Sequence, residues 1–224
     1  QDVKGTSGDT KITLFGTHNV SKVDFKRVES SSILIKFDLE KFKEDFITAN
    51  IANSLFNDKS NLEVKVILKD VSTGHTKPFN YNLNIFSLKK SFLEGLGKDT
   101  IHFSDIDKSN FISLDDLNNW EIPGYVSKED DVYSESTYID TFEVISGDEN
   151  IEFDVTNWFF DFITGVNASD LGFLISFADE VLEDNNTYFV KRLGSRHLLN
   201  KNLVPVIKIK IKDDKIKLIS PVSL

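Results

Sequence analysis

Ile207-Lys208-Ile209-Lys210-Ile211-Lys212 alternates apolar and charged residues without a break. A period of two buries one face of an extended strand and leaves the other in water, so this stretch is a half-buried β-strand. Working outward, similar short runs occur at Ile12–Phe15, Val20–Val28, Ile33–Leu39, Leu62–Lys69 and Tyr81–Leu88. Others are Tyr138–Val144, Leu171–Phe177, Tyr188–Arg192 and Ile216–Ile219. Turn formers punctuate them: Ser72-Thr-Gly-His, Ser146-Gly-Asp-Glu-Asn and Asp184-Asn-Asn-Thr. About ten short strands so divided predict an all-β protein, an antiparallel sandwich or barrel.

Two segments follow a helical period instead. In Glu40–Phe56 the side chains of Phe42, Phe46, Ala49 and Phe56 recur at roughly helical spacing. In Asp154–Gly165, Val155, Trp158, Phe159 and Phe162 stand at i, i+3, i+4 and i+7. Asp154 or Thr156 can cap the first turn of that helix, and Gly165 can end it in a left-handed conformation. Both are expected as short helices over the ends or edges of the sandwich. The polar, glycine-containing segment 1–10 reads as an N-terminal arm or linker, and residues 11–224 as one β-sandwich domain. Gln1 opens the chain, and the expectation is a processed product or a segment of something longer. The least periodic stretch, Asp105–Ser136, is expected as a long loop.

Composition narrows the function classes. The 224 residues carry 26 basic and 36 acidic side chains, a net charge of −10, which argues against an electrostatic nucleic-acid binder. No run approaches the roughly 18 apolar residues of a transmembrane helix, so no membrane partner is expected. Cysteine is absent, which removes thiolate metal sites and cysteine nucleophiles from this chain. The four histidines, His18, His75, His102 and His197, form no zinc-binding spacing. Gly194-Ser-Arg-His lacks the elbow that exposes a nucleophilic serine, and no phosphate-cradling glycine pattern occurs. No enzyme and no cofactor is expected.

Two constellations could bind something. Asp105, Asp107, Ser109, Ser113 and Asp116 occupy positions 1, 3, 5, 9 and 12 of a calcium-loop spacing, which can supply the oxygens that hard cation needs. Asn110 stands where glycine normally makes the sharp turn, and Asp116 is shorter than the usual glutamate. The simpler reading is a solvated acidic loop capping a helical turn at Ser113–Leu117, with calcium as the alternative. Trp120, Tyr125, Tyr133 and Tyr138 cluster in sequence and either anchor loops or form a stacking platform for sugar rings.

Several phrases together resemble the DNRLRE-type β-sandwich family, related to jelly-roll carbohydrate-binding modules. They are Ser32-Ile-Leu-Ile-Lys-Phe-Asp-Leu, Leu83-Asn-Ile-Phe-Ser-Leu with Phe92-Leu-Glu-Gly-Leu-Gly-Lys-Asp, and Trp120-Glu-Ile-Pro-Gly. Phe153-Asp-Val-Thr-Asn-Trp-Phe-Phe-Asp-Phe-Ile-Thr-Gly and Leu171-Gly-Phe-Leu-Ile-Ser, with Tyr188-Phe-Val-Lys-Arg-Leu-Gly-Ser-Arg-His and Pro205, complete the set. Their order runs from about residue 30 to residue 212, and the variant looks most like versions in tailed-phage structural proteins. Phe92 replaces the family's tryptophan, Leu193-Gly194 replaces its aromatic pair, and one proline stands where two are common. The resemblance implies a jelly-roll sandwich in which Arg196 pairs with an acid or with loop carbonyls.

It also implies a non-enzymatic structural or adaptor protein of a phage virion, in the tail, baseplate or fibre attachment. Such a protein would contact other virion proteins in multiple copies. The alternative is a carbohydrate-binding module for a cell-surface or extracellular polysaccharide, on a virion or secreted.

Overall fold

The computed structural model describes residues 2–4, 11–13, 32–50, 58–71, 77–95, 108–110, 112–121, 136–166, 171–182 and 189–212. In chain order these form β1 (Asp2–Lys4), β2 (Lys11–Thr13), β3 (Ile33–Ile35), α1 (Glu40–Asn50), β4 (Leu62–Leu68) and β5 (Tyr81–Leu88). Then come β6 (Ser136–Val144), β7 (Ile151–Asp154), α2 (Thr156–Thr164), β8 (Phe173–Phe177), α3 (Asp179–Leu182) and β9 (Val206–Ile211). All strand pairs are antiparallel, in a four-stranded sheet of order β3-β8-β5-β6, a three-stranded sheet of order β7-β4-β9 and a hairpin of β1 with β2. The protein is an all-β antiparallel sandwich with a few short helices.

Alternation builds the interior. Val64, Val66 and Leu68 of β4 and Ile151 and Phe153 of β7 face Tyr81, Leu83 and Ile85 of β5 and Phe173 and Ile175 of β8 in one buried cluster. The even-numbered residues Phe86, Leu88 and Leu174 lie on the outer face of the four-stranded sheet. There they meet Leu114 and Trp120 in a second, smaller cluster. β9 keeps Ile207, Ile209 and Ile211 half-buried against the core, with Lys208 and Lys210 exposed.

α2 forms where the helical period lies. Val155 N–H donates to the Val64 carbonyl at 2.8 Å, and Thr156 N–H to Asp154 Oδ1 at 2.8 Å, so the helix grows directly out of β7. Gly165 closes it with φ 83°, donating its N–H to the Phe162 carbonyl. α1 packs against it through Phe42 and Phe159, whose ring centroids are 6.1 Å apart, and through Lys43 Nζ, 4.4 Å above the Phe162 ring. At the start of β8, Gly172 has φ 91°, and a Cβ there would stand 2.5 Å from the Ile35 carbonyl oxygen. Only glycine lets β3 pass this closely.

Several expectations change. β7 is a strand that the turn and helix signals on either side concealed; its Ile151 and Phe153 are buried and Glu152 and Asp154 exposed. The run at 33–39 is extended as a strand only over Ile33–Ile35. Phe189–Arg192 is not a ladder strand: a single isolated bridge, Asp70 with Leu193, follows it, and the segment packs on the sheet through side chains such as Phe189 against Tyr81. Segment 1–10 contributes Asp2–Lys4 to the hairpin with β2. The runs at Val20–Val28 and Ile216–Ile219 lie outside the described residues.

Phe159 is fully buried between the helices and the sheets. Truncating such a ring removes its transfer energy and leaves a cavity. Phe159→Ala is expected to lower unfolding free energy by about 3–5 kcal/mol in urea titration, with the slope of the transition unchanged.

Candidate functional site

Where β6 and β7 part, a cleft of about 790 Å³ opens, within the size range of ligand sites. Thr137, Tyr138, Ile139 and Asp140 of β6 line one side; Asp154, Val155, Asn157, Trp158 and Asp161 at the start of α2 line another. Ser87, Leu88, Lys89, Val166 and Leu171 complete it. A bulge in the β5–β6 ladder shapes the wall: Ile85 pairs with Asp140 and Phe86 with Tyr138, leaving Ile139 as the extra residue. A bulge re-aims the side chains beside it, and here Ile139 and Asp140 both reach the cleft.

Tyr138 is 56% exposed, its ring edge-on to Phe86 at 5.9 Å. The Thr141 hydroxyl donates to Asn84 Oδ1 at 2.8 Å, so the Tyr138 hydroxyl donates to Thr141 Oγ1 at 2.9 Å. Trp158 is buried, stacked on Phe162 at 5.6 Å. Asp154 spends one oxygen on the first turn of α2, Asp140 Oδ1 accepts from Thr141 N–H at 2.8 Å, and Asn157 Oδ1 accepts from Lys59 Nζ at 2.9 Å. Three carboxylates against the single lysine Lys89 disfavour an anion. Aromatic surface beside acceptor oxygens suits a cation or a neutral polyol.

The sequence-predicted residues fall differently. Tyr138 is at this cleft. Trp120 is not: it is 4% exposed in the outer cluster, its indole N–H donating to the Asn110 carbonyl at 3.0 Å. It anchors a loop and presents no face for a sugar. Tyr125, Tyr133, Asp105 and Asp107 lie outside the described residues.

Of the calcium-loop positions that are described, the Ser113 hydroxyl donates to Asn119 Oδ1 at 2.9 Å and Asp116 is exposed. Asn110 Oδ1 accepts from Ile112 N–H and Ser113 N–H at 2.8 and 3.0 Å. The helical turn expected at Ser113–Leu117 is instead a tight turn around Asp115, whose Oδ1 accepts from Leu117 and Asn118 N–H. Asparagine and aspartate side chains compete with helical bonding for these amides. No group of three or more His, Cys, Asp or Glu placed to hold a metal occurs among the described residues, and no described helix is long and apolar enough to cross a membrane. Arg196 meets Glu94 at 3.0 Å, both about half exposed, and such a surface pair contributes at most about 1 kcal/mol.

Sequence reasoning missed Lys191, whose side chain is only 3% exposed. Its Nζ donates to Asp70 Oδ1 at 3.0 Å, the Gly147 carbonyl at 3.0 Å and the Glu149 carbonyl at 2.6 Å. An ammonium has three hydrogens, so its donor capacity is filled and the group serves to hold chain segments together. A single lysine within an alternating run carries no local signal of this role. Around it, Glu149 accepts from the amides of Ile145 and Ser146, and Asp70 N–H donates to Asn150 Oδ1. Burial, then Glu149 and Asp70, push the nearby Tyr81 phenol up to about 12.

Lys191→Met leaves Asp70 and two carbonyls without their buried donor, and is expected to cost about 3–5 kcal/mol of unfolding free energy in urea titration. The turn also sets acid sensitivity. The Ser146 hydroxyl and then Lys77 hold Asp148 below its ordinary 3.8. Burial pushes Glu149 up, but the backbone and side-chain donors of the turn outweigh it and hold it below its ordinary 4.5. Depressed folded values mean that the unfolded chain binds more protons, so this stabilisation is full above the ordinary values and lost as pH falls from them through the lower folded values. The melting temperature is expected to hold steady from about pH 7 to 5 and to fall below about 4.5, with a shallower fall in Ser146→Ala.

No protein-family model matches the chain, and no curated protein matches it in sequence.

Proposed function

We propose that this protein is a non-enzymatic structural or adaptor component of a phage virion, acting through contacts with other virion proteins. The virion setting is supported by the resemblance of the phrases between residues 32 and 205 to tailed-phage structural proteins. The contact-making part is supported by one observation above the others. β6 is a nine-residue strand at the margin of the four-stranded sheet, mostly exposed, and the described residues place no strand on its outer side. An open edge of this length is a template for another chain, and natural proteins keep such edges short or charged unless they are used. The charge of −10 disfavours nucleic acid as a partner.

A second reading, a carbohydrate-binding module, is favoured by the cleft itself, where the exposed Tyr138 ring stands beside Asp140 and Asp161. The two readings separate cleanly. The first expects mass spectrometry and antibody labelling to locate the protein in purified particles, cross-linked to other virion proteins, with no binding on a glycan array. Glycan binding lost in Tyr138→Ala, together with absence from particles, would replace the first reading by the second.

A further inference from the structure

The margins of the two sheets differ in ways that select a partner. β3 has three residues and β7 four, too short to hold a guest strand firmly. β9 exposes Lys208 and Lys210, the usual guard of an edge. β6 has nine residues, Ser-Thr-Tyr-Ile-Asp-Thr-Phe-Glu-Val, rich in β-formers and with no lysine. Asn80 N–H donates to the Val144 carbonyl, so Val144 turns its backbone groups toward β5. In an antiparallel ladder alternate residues turn the other way, which directs the N–H and C=O of Thr141 and Glu143 outward. The bulge at Ile139 breaks the register, and the longer regular stretch of β6 is Asp140–Val144.

The charges on this edge are mostly acidic, with Lys89 the one lysine lining the cleft. Asp140 and Glu143 lie on the strand, and Asp154 and Asp161 stand in the cleft beside it. Two copies of β6 laid together would gather four acidic side chains along one seam, which disfavours self-pairing. A strand bearing lysine or arginine is complementary. Its long stem can lie along Tyr138 and Ile139 and its cationic head can reach the carboxylates, with the tyrosine ring adding a cation–π contribution. An incoming carbonyl at Thr141 N–H would displace the Asp140 carboxylate now 2.8 Å away and release it to the cation.

Building on the contact-making reading above, we propose that Asp140–Val144 of β6 takes up an extended segment of a partner protein whose lysine or arginine enters the cleft between β6 and α2. The test uses the full chain and a synthetic nine-residue peptide alternating threonine and valine with two arginines, followed by amide NMR. The basic peptide should move the signals of Thr141 and Glu143, and its affinity should fall roughly tenfold in Asp140→Asn/Asp161→Asn and on raising salt. If that variant fails to fold by circular dichroism, Glu143→Lys, at an exposed position, should weaken binding as well. Equal binding of a glutamate-bearing peptide, shifts centred on β9 or elsewhere, or no shift at millimolar peptide would overturn the proposal. So would sedimentation showing that the protein self-associates through β6. A failed titration with the protein still found cross-linked in particles removes this inference alone. Absence from particles removes the reading on which it rests.

Discussion

Phe153 of β7 meets Phe173 of β8 edge to face, with ring centroids 5.8 Å apart, and at that contact the two sheets become one body. The rings continue from there: Trp158 lies 4.7 Å from Phe173 and stacks on Phe162, and Phe42 of α1 reaches Phe159 of α2. A chain with 19 phenylalanines and no methionine fills its interior with flat, stiff groups that pack in few ways. The consequence reaches the surface. Because Trp158 is part of this run, the start of α2, which lines one side of the cleft, is held against β8.

Apolar packing does not account for the far end of the sandwich. There the segments after β4, between β6 and β7, and before β9 converge on one buried ammonium. Lys191 converts three separate acceptors into a single joint, while Asn150 Oδ1 accepts from the Asp70 N–H and Glu149 from the amides of Ile145 and Ser146. Buried polar groups are costly unless paired, so a set this fully paired specifies one arrangement of the turn over others. The loop over the outer face is treated in the same manner. Asn110 and Asp115 take its amides, and Trp120 pins it to the apolar residues Phe86, Leu88 and Leu174.

The margin formed by β6 stands apart from both. Its bulge gives Asp140 a place in the cleft and at the same time shortens the regular edge. One extra residue thus limits indiscriminate pairing along β6 and, on the reading proposed above, leaves a defined stretch for a complementary chain.

Strand-forming stretches were legible wherever the period of two persisted, as at Leu62–Lys69, Tyr81–Leu88 and Ile207–Ile211. The helix at Thr156–Thr164 was legible from its spaced aromatics and its terminal glycine. These signals are local: alternation and caps depend only on neighbouring residues and on the geometry of the extended or helical backbone. β7 escaped notice because its four residues are too few to establish a period. Phe189–Arg192 looked like a strand because its apolar residues are covered by packing and not by a ladder. Trp120 and Tyr138 were alike in sequence, and only the register of β5 with β6 and the closing of the outer loop put one inside and left the other on a cleft. Lys191 and the cleft were invisible beforehand for the same reason. The partners of Lys191 lie from about 40 to 120 residues away in the chain, and the cleft gathers residues from 87 to 171; such segments are joined only when the sheets close on each other. Alternation thus determined the class of fold and the charge balance disfavoured a nucleic-acid partner, whereas the location of any site depended on long-range contacts that no local pattern encodes.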